Sequence, residues 1–322
     1  MIPLRLASSR FALGGSSRRA LAACARLDAR AMLAAVDCFV FDCDGVVWKG
    51  DRAVAGAAIA LDRLRAAGKR LFFVTNNSTR SRAGFKAKFD ALGLGAVAPG
   101  EILSSSFAAA VHLARPGGGF VGGARAKKAY VIGEAGLCEE LALAGVRWVG
   151  GPDDSGRAPD MARGGRLALD DDIGAVVVGF DREVNYYKIQ AAQLAINELG
   201  AEFVATNLDA VTHLTDAQKW AGNGSMVGAI RGCTGREPTV VGKPAPLLID
   251  HLVDAFGLER RRICMVGDRL DTDVRFGIEN GLRSCLVLSG VTSEAALLSD
   301  ENAIAPDCYA DTIADLAPDL GS

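Results

Sequence analysis

An α/β fold built on a mostly parallel sheet is predicted by two observations. From Val36 onward, apolar runs of strand length alternate with amphipathic stretches of helix length. Several of those runs also end abruptly in Asp, Thr, Asn or Lys, the residue types that gather at the carboxyl ends of strands in open α/β sheets. Bulk properties agree: half of the 322 residues are hydrophobic and 23% are charged, as in ordinary globular chains.

The first thirty residues stand apart from that pattern. They hold six arginines and four serines against one acid, Asp28, which is the composition of an organelle transit peptide. A secretory signal is excluded because arginines interrupt every candidate apolar core. The alternative is a disordered basic tail with no address. Removing this net +5 from a chain of −2 leaves a mature protein of −7, and residues 1–33 are expected to be disordered.

Strands are expected at 38–41 (CFVF), 70–75 (RLFFVT), 129–133 (AYVIG), 146–150 (VRWVG), 175–180 (AVVVGF), 202–206 (EFVAT), 239–242 (TVVG), 263–267 (ICMVG) and 285–289 (CLVLS). Helical segments lie between them. In NYYKIQAAQLAINELG, Tyr186, Ile189, Ala192, Ile196 and Leu199 recur at helical spacing, and Gly200 supplies the stop. RPGGGFVGG (115–123) reads as a hinge or boundary, and GGPDDSGRAPDMARGG (150–165) as a flexible polar loop without a site.

Four strand ends carry chemistry. Asp42 and Asp44 follow CFVF directly, two carboxylates aimed at one spot, where each raises the cost of ionising the other. Thr75, Asn76 and Asn77 close the second run, a hydroxyl and backbone N–H groups suited to a phosphoryl oxygen. Lys243 follows TVVG, and Pro244 can open the next helix. Asp268, Asp271 and Asp273 follow ICMVG. Singly, each is readily a turn former, a helix cap or a surface lysine; together they are the groups a phosphoryl-transfer site requires.

In order, DCDG (42–45), VTNN (74–77), GKP (242–244) and GDRLDTD (267–273) resemble the four motifs of haloacid dehalogenase superfamily phosphatases. The resemblance spans the chain from about Ala34. It implies a Rossmann-like three-layer core at 34–117 and 239–322. A large α/β cap at 118–238 would be inserted between the second and third motifs. KKAYVIGEAGL, VVVGFDREVNYYKI, FVATNLD and LVLSGVTS resemble the phosphoglycolate phosphatase and 4-nitrophenylphosphatase branch. NLDAVTHLTDAQKWAGNGSMVGAI and ICMVGDRLDTD are most similar to its plant and algal phosphoglycolate phosphatases.

The resemblance implies hydrolysis of 2-phosphoglycolate in photorespiratory salvage, with pyridoxal phosphate or broad 4-nitrophenyl phosphate type activity as the alternative. Asp42 would be the nucleophile and Asp44 the acid and base. Magnesium would be held by the Asp42 carboxylate, the Asp44 backbone carbonyl and Asp268. Thr75, Asn76, Asn77 and Lys243 would hold the phosphoryl oxygens, with Asp273 in support. It further implies a homodimer formed through the caps and residence in the chloroplast stroma, with the mitochondrion as the alternative. An aspartate rather than a threonine at position 44 argues for prompt hydrolysis of the phosphoenzyme, since threonine neither protonates a leaving group nor activates water well. Arg182, Lys188, His213 and Lys219 are the cap candidates for reading a second anionic group on the substrate.

Other function classes fare worse. A net charge of −2, with no basic block in the folded part, gives no support for nucleic acid. No apolar run is long enough to span a bilayer. Eight scattered cysteines without a C-x-x-C pair read as buried reduced thiols, and three distant histidines argue against a structural zinc site. Cys43, between two carboxylates, reads as packing rather than as a nucleophile, because they would suppress its thiolate. GNGSMVG (222–228) fails the dinucleotide fingerprint, with Val227 where glycine is needed. The acid set also argues against a catalytically dead scaffold.

Overall fold

The computed structural model describes residues 24–122, 126–215 and 217–317. Strands are β1 (Ala25–Arg26), β2 (Cys38–Phe41), β3 (Trp48–Lys49), β4 (Arg52–Ala53), β5 (Arg70–Thr75), β6 (Ile102–Ser104), β7 (Lys128–Ile132), β8 (Trp148–Gly150), β9 (Ile173–Val178), β10 (Glu202–Ala205), β11 (Val211–Thr215), β12 (Gln218–Ala221), β13 (Thr239–Val240), β14 (Ile263–Gly267), β15 (Arg283–Val287) and β16 (Cys308–Ala310). They form a seven-stranded sheet in the order β1-β16-β15-β14-β2-β5-β6 and a five-stranded one in the order β13-β10-β9-β7-β8. Every pairing in both sheets is parallel. Two antiparallel hairpins, β3-β4 and β11-β12, complete the set.

In the larger sheet, β2 and β14 are buried at every position, as strands covered on both faces must be. The pleat divides their side chains. Phe39, Phe41, Cys264 and Val266 enter one apolar cluster, whereas Cys38, Val40, Ile263 and Met265 enter the other. Phe39, Phe41 and Phe73 stack at centroid spacings of 5.9 and 5.9 Å, which supports the register of β2 against β5, and Phe89 of the helix Arg82–Ala91 meets Phe73 at a tilt, 4.6 Å between centroids.

The smaller sheet is the cap. The helices Tyr186–Asn197 and Asn223–Thr234 cover one of its faces. Its other face shares a single apolar cluster with the core: Val131, Val177 and Val204 join Leu113 and Leu248 there. Leu137 and Leu141, on the cap helix Ala135–Leu143, meet Ala108 and Ala109 on the core helix Ser105–Ala114 in the same cluster.

Several expectations change. Disorder does not extend to residue 33: β1 pairs with β16, and Asp28 caps a helix at Ala29–Ala35 that buries Met32. Residues 1–23 of that leader lie outside the described residues. The run expected at 239–242 shortens to β13 and pairs with β10, so it belongs to the cap sheet rather than to the core. In the helix Tyr186–Asn197 the buried stripe is Lys188, Ala191, Ala192, Ala195 and Ile196, and Tyr186 is exposed. Alanines bring this helix close to its neighbours, a face that large apolar residues alone did not mark. In the loop after β8, Asp154 is buried and accepts from the Tyr130 hydroxyl at 2.8 Å, which anchors the start of a segment expected to be flexible throughout.

Candidate active site

β14, β2 and β5 are neighbours at the centre of the larger sheet; from β2 the chain goes on to β5 and β6 on one side, and from β14 to β15 and β16 on the other. Their carboxyl ends therefore open on one crevice, where such sheets collect ligands. The crevice encloses about 420 Å³ and is lined by Asp42, Asp44, Thr75, Asn76, Asn77, Lys243, Asp268 and Asp273, among others. Residues expected from four separate strand ends thus share one cavity.

Lys243 is its electrostatic centre. Its Nζ donates to Asp42 Oδ1 at 2.5 Å, to Asp273 Oδ1 at 2.7 Å and to the Val74 carbonyl at 3.0 Å, all in buried surroundings. Burial alone would depress this ammonium, but Asp273 and Asp42 together push it above its ordinary value. Asp273 Oδ2 accepts the backbone N–H groups of Asp268 and Arg269 at 3.2 and 3.1 Å, so both its oxygens are engaged in holding the lysine and the loop after β14.

The Asn76 side chain is spent on architecture. Its Oδ1 accepts from Lys243 N at 2.8 Å and its Nδ2 donates to Lys243 O at 3.1 Å, clasping the lysine backbone on both sides. Asn207 of the cap and Ser105 of the core hydrogen-bond the Asn76 carbonyl at 2.7 and 2.6 Å. Thr75 Oγ1 accepts the Asn77 N–H at 3.1 Å, and Asn77 Oδ1 turns away to cap Thr79 at 2.9 Å.

The acidic groups fit a divalent cation. Carboxyl oxygens of Asp42, Asp268 and Asp273 lie within 4.8 Å of one another, three buried carboxyl groups against one lysine. Asp268 Oδ1 is buried without a hydrogen-bond partner, while Oδ2 accepts the Val291 N–H at 2.7 Å. Burial, then Asp273, pushes the Asp268 carboxyl up to about 7. Burial likewise raises Asp42, with Lys243 opposing it and the neighbouring carboxylates adding to it. A cation bound by oxygens would satisfy the orphaned atom and offset the repulsion. Gly45 keeps the site open at φ +88°, since a Cβ there would stand 2.4 Å from Asp268 Oδ2.

Cys43 packs in the core with its thiol pushed up by burial and by Asp42 and Asp44. Asp44 is exposed toward the crevice and accepts the Trp48 indole N–H through Oδ1 at 2.8 Å. From the cap, Asp209 reaches to 3.3 Å of Asn76 Nδ2; burial raises its carboxyl, with Arg269 and Lys243 opposing. The glycines of GNGSMVG serve this approach: a Cβ on Gly222 would lie 2.2 Å from the Asp209 carbonyl, and one on Gly224 would lie 2.8 Å from that of Leu208.

Of the cap cations, Arg182 lines the crevice, bound to Glu134 at 2.7 and 2.8 Å. Lys188 does not. It is fully buried in an ion pair at 2.8 Å with Asp181, the residue that follows Phe180. Lys219 is exposed on β12 outside the crevice lining, and the His213 side chain lies outside the described residues. Sequence reasoning passed over Arg80, Lys88, Asp209 and Arg269, which also line the crevice. The basic position in STR, five residues after Thr75, was the available signal for Arg80.

Comparison with known proteins places this geometry among phosphatases. Residues 39–147 match a family model described as haloacid dehalogenase-like hydrolase, and residues 240–316 match a second of the same kind. The chain is 53% identical over 314 residues to chloroplastic phosphoglycolate phosphatase 1A of Arabidopsis thaliana, covering 97% of this chain and 84% of that one. It superposes on a p-nitrophenyl phosphatase from Archaeoglobus fulgidus with a TM-score of 0.74 at 30% identity, over 88% of this chain and 98% of that one. A glycerol phosphate phosphatase from Mycobacterium tuberculosis, solved in complex with magnesium, gives 0.71 at 31% identity, over 89% and 78% of the two chains.

Proposed function

The chain belongs to the haloacid dehalogenase-like hydrolase family and is a phosphatase of small phosphate monoesters, and from this premise we propose that its substrate is 2-phosphoglycolate. The observation that carries the substrate is the 53% identity to a phosphoglycolate phosphatase over 97% of the chain. In the proposed reaction, an oxygen of Asp42 attacks phosphorus in line with the leaving oxygen, forming an aspartyl phosphate. Asp44 gives its proton to that oxygen, then takes one from the water that hydrolyses the intermediate. Lys243, fixed by Asp273, neutralises charge on the phosphoryl group, and Thr75 with the Asn76 N–H orients its oxygens. Asp42, Asp268 and the Asp44 backbone carbonyl would hold magnesium, which when bound supplies positive charge to the phosphoryl oxygens and to the carboxylate cluster. The orphaned Asp268 Oδ1 and the magnesium complex of a structural neighbour support that assignment.

Glycolate is small, so little beyond its carboxylate distinguishes the substrate from other esters. Two guanidinium groups on the crevice wall support recognition of that carboxylate: Arg182 from the cap and Arg80 from the core, the latter without an ion-pair partner among the described residues. Phosphoglycolate should then exceed ethyl phosphate in kcat/KM by about a hundredfold, roughly 3 kcal/mol from a charge-assisted contact. Near-equal values, or a preference for glycerol phosphate or pyridoxal phosphate, would make this a different or a general phosphatase.

We place the enzyme in the chloroplast stroma as a dimer formed through the cap. The chloroplastic relative supports the first, and the exposed Leu143 near the open cap edge β8 supports the second. Because the sheet begins at Ala25, residues 1–23 should suffice as the address. A fluorescent reporter carrying them should enter plastids; mitochondrial or cytosolic signal would refute the assignment.

A further inference from the structure

Trp48 stands four residues beyond Asp44, and the turn between them is tightly made. Gly45, at φ +88°, donates its N–H to the Trp48 carbonyl at 2.7 Å, and the Trp48 N–H reaches the Cys43 carbonyl at 3.1 Å. The indole is fully buried. Phe89 meets its ring edge-on at 4.8 Å between centroids, and the Lys88 ammonium sits 4.5 Å from the ring centroid. A ring so enclosed has no rotational freedom to spare, and its one polar atom, Nε1, donates to Asp44 Oδ1 at 2.8 Å. Asp44 Oδ2 accepts no hydrogen bond among the described residues and stays open to the crevice.

An indole nitrogen donates and cannot accept. A proton placed on Oδ1 would leave that oxygen a poorer acceptor for the indole, because a carboxylic hydroxyl oxygen accepts more weakly than a carbonyl oxygen. We infer that Trp48 is a positioning residue for the acid–base step: it holds Asp44 Oδ1 as an acceptor, orients the carboxyl, and so favours Oδ2 as the oxygen that carries the mobile proton. The inference rests on Asp44 being the general acid of the proposed reaction. In the first step the bond from Asp42 to phosphorus forms and the ester P–O bond breaks. The bonding pair stays on the leaving oxygen, which takes the Oδ2 proton. In the second step water oxygen bonds to phosphorus, the Asp42–phosphorus bond breaks with its pair returning to Asp42 as phosphate leaves, and the same Asp44 oxygen receives the water's proton. Lys88, over the ring face, keeps the indole aligned and strengthens its N–H as a donor.

Leaving-group chemistry tests this. An alkyl ester such as phosphoglycolate departs as a strongly basic alkoxide and needs the proton; 4-nitrophenolate departs without it. Trp48→Phe keeps an aromatic ring against Phe89 and removes the N–H. In saturating magnesium, kcat/KM for phosphoglycolate should fall about tenfold, part of the roughly hundredfold or more that general acid catalysis supplies, while that for 4-nitrophenyl phosphate should fall less than about threefold. On an Asp44→Asn background the same change should cost nothing further with either ester. An equal loss with both esters, or an additive loss in the double variant, would make Trp48 a packing residue only. No loss with either would remove the role altogether. Asp44→Asn alone separates the two readings: if it fails to penalise the alkyl ester over the aryl one, the assignment of Asp44 falls rather than that of Trp48.

Discussion

Lys243 neutralises one of the three carboxylates gathered around it, and two consequences of that imbalance can be measured. Asp42→Asn removes the proposed nucleophile and also one buried carboxylate. Turnover should drop below about one part in a hundred of wild type, as expected of a missing nucleophile. Lys243 keeps Asp273 as its partner, so Tm without magnesium should hold or rise. Residual turnover above that level, or phosphoenzyme label trapped elsewhere, would reassign the nucleophile. The second consequence concerns Asp268, raised from 3.8 to about 7 by burial and then by Asp273. A carboxyl raised on folding contributes most below its unfolded value and loses that contribution as pH climbs through the folded one. Metal-free protein should therefore lose stability from this group between about pH 4 and 7. If Asp268 holds magnesium as proposed, the ion replaces the proton, so the Tm increment it adds should be larger at pH 8 than at pH 5. An increment independent of pH would count against Asp268 as a ligand.

Among the elements, those whose whole length is apolar were legible in the sequence, and those whose partners decide their role were not. CFVF and ICMVG become β2 and β14 at the expected residues, because a strand buried on both faces must be apolar throughout, and RLFFVT becomes β5 on its buried Leu71–Val74 run although Arg70 is exposed. β6 and β16 are three residues each, too short for periodicity to register, and the hairpins β3-β4 and β11-β12 carry polar residues. TVVG has strand composition, but nothing in it says that β10 of the cap rather than the core supplies its partner. The same blindness hid Lys188, whose charge reads as surface although its side chain is fully buried against Asp181. That pair secures the segment bearing Phe180 and Arg182 on the crevice wall. Lys188→Met should destabilise the protein by about 3–5 kcal/mol, because Asp181 is left charged and buried without its partner. Chemical denaturation would measure this, and a loss under about 1 kcal/mol, the value of an exposed pair, would deny the burial. Asp181→Leu added to it should recover part of the loss.

For the whole molecule, the question is what couples the two sheets. Besides their shared apolar cluster, an ionic contact spans them. Glu202 of β10 accepts at 2.7 Å from His112 Nε2, on the helix Ser105–Ala114, and at 3.0 Å from Arg115, which caps that helix. Burial works against the Glu202 carboxylate, yet His112 and Arg115 hold its carboxyl below the usual range. Its contribution is therefore present above the ordinary value and is lost as pH falls through the lowered one. These side chains are part-exposed, so Glu202→Gln should cost only about 1 kcal/mol in global stability. Hydrogen exchange should speed up in β10 and β13 while β2 and β14 stay protected. Uniform acceleration across both sheets would mean that they open as one unit. None of this contact was legible in sequence, where His112 and Glu202 lie 90 positions apart.

The route from β13 to Lys243 bears on how such a protein can diversify. Only Val241 and Gly242 separate the last cap strand from the lysine, and a Cβ on Gly242 would stand 2.2 Å from the Thr206 carbonyl and 2.6 Å from Asn76 Oδ1. A graft that exchanged residues 118–238 for those of a relative would sever β13 from β10 and splice foreign backbone onto the strap that positions the buried Lys243. The cap is therefore not a cassette. New substrate ranges are open to this lineage through the crevice loop around Arg182, whose partner Glu134 also belongs to the cap, where a residue can be exchanged without disturbing the junction.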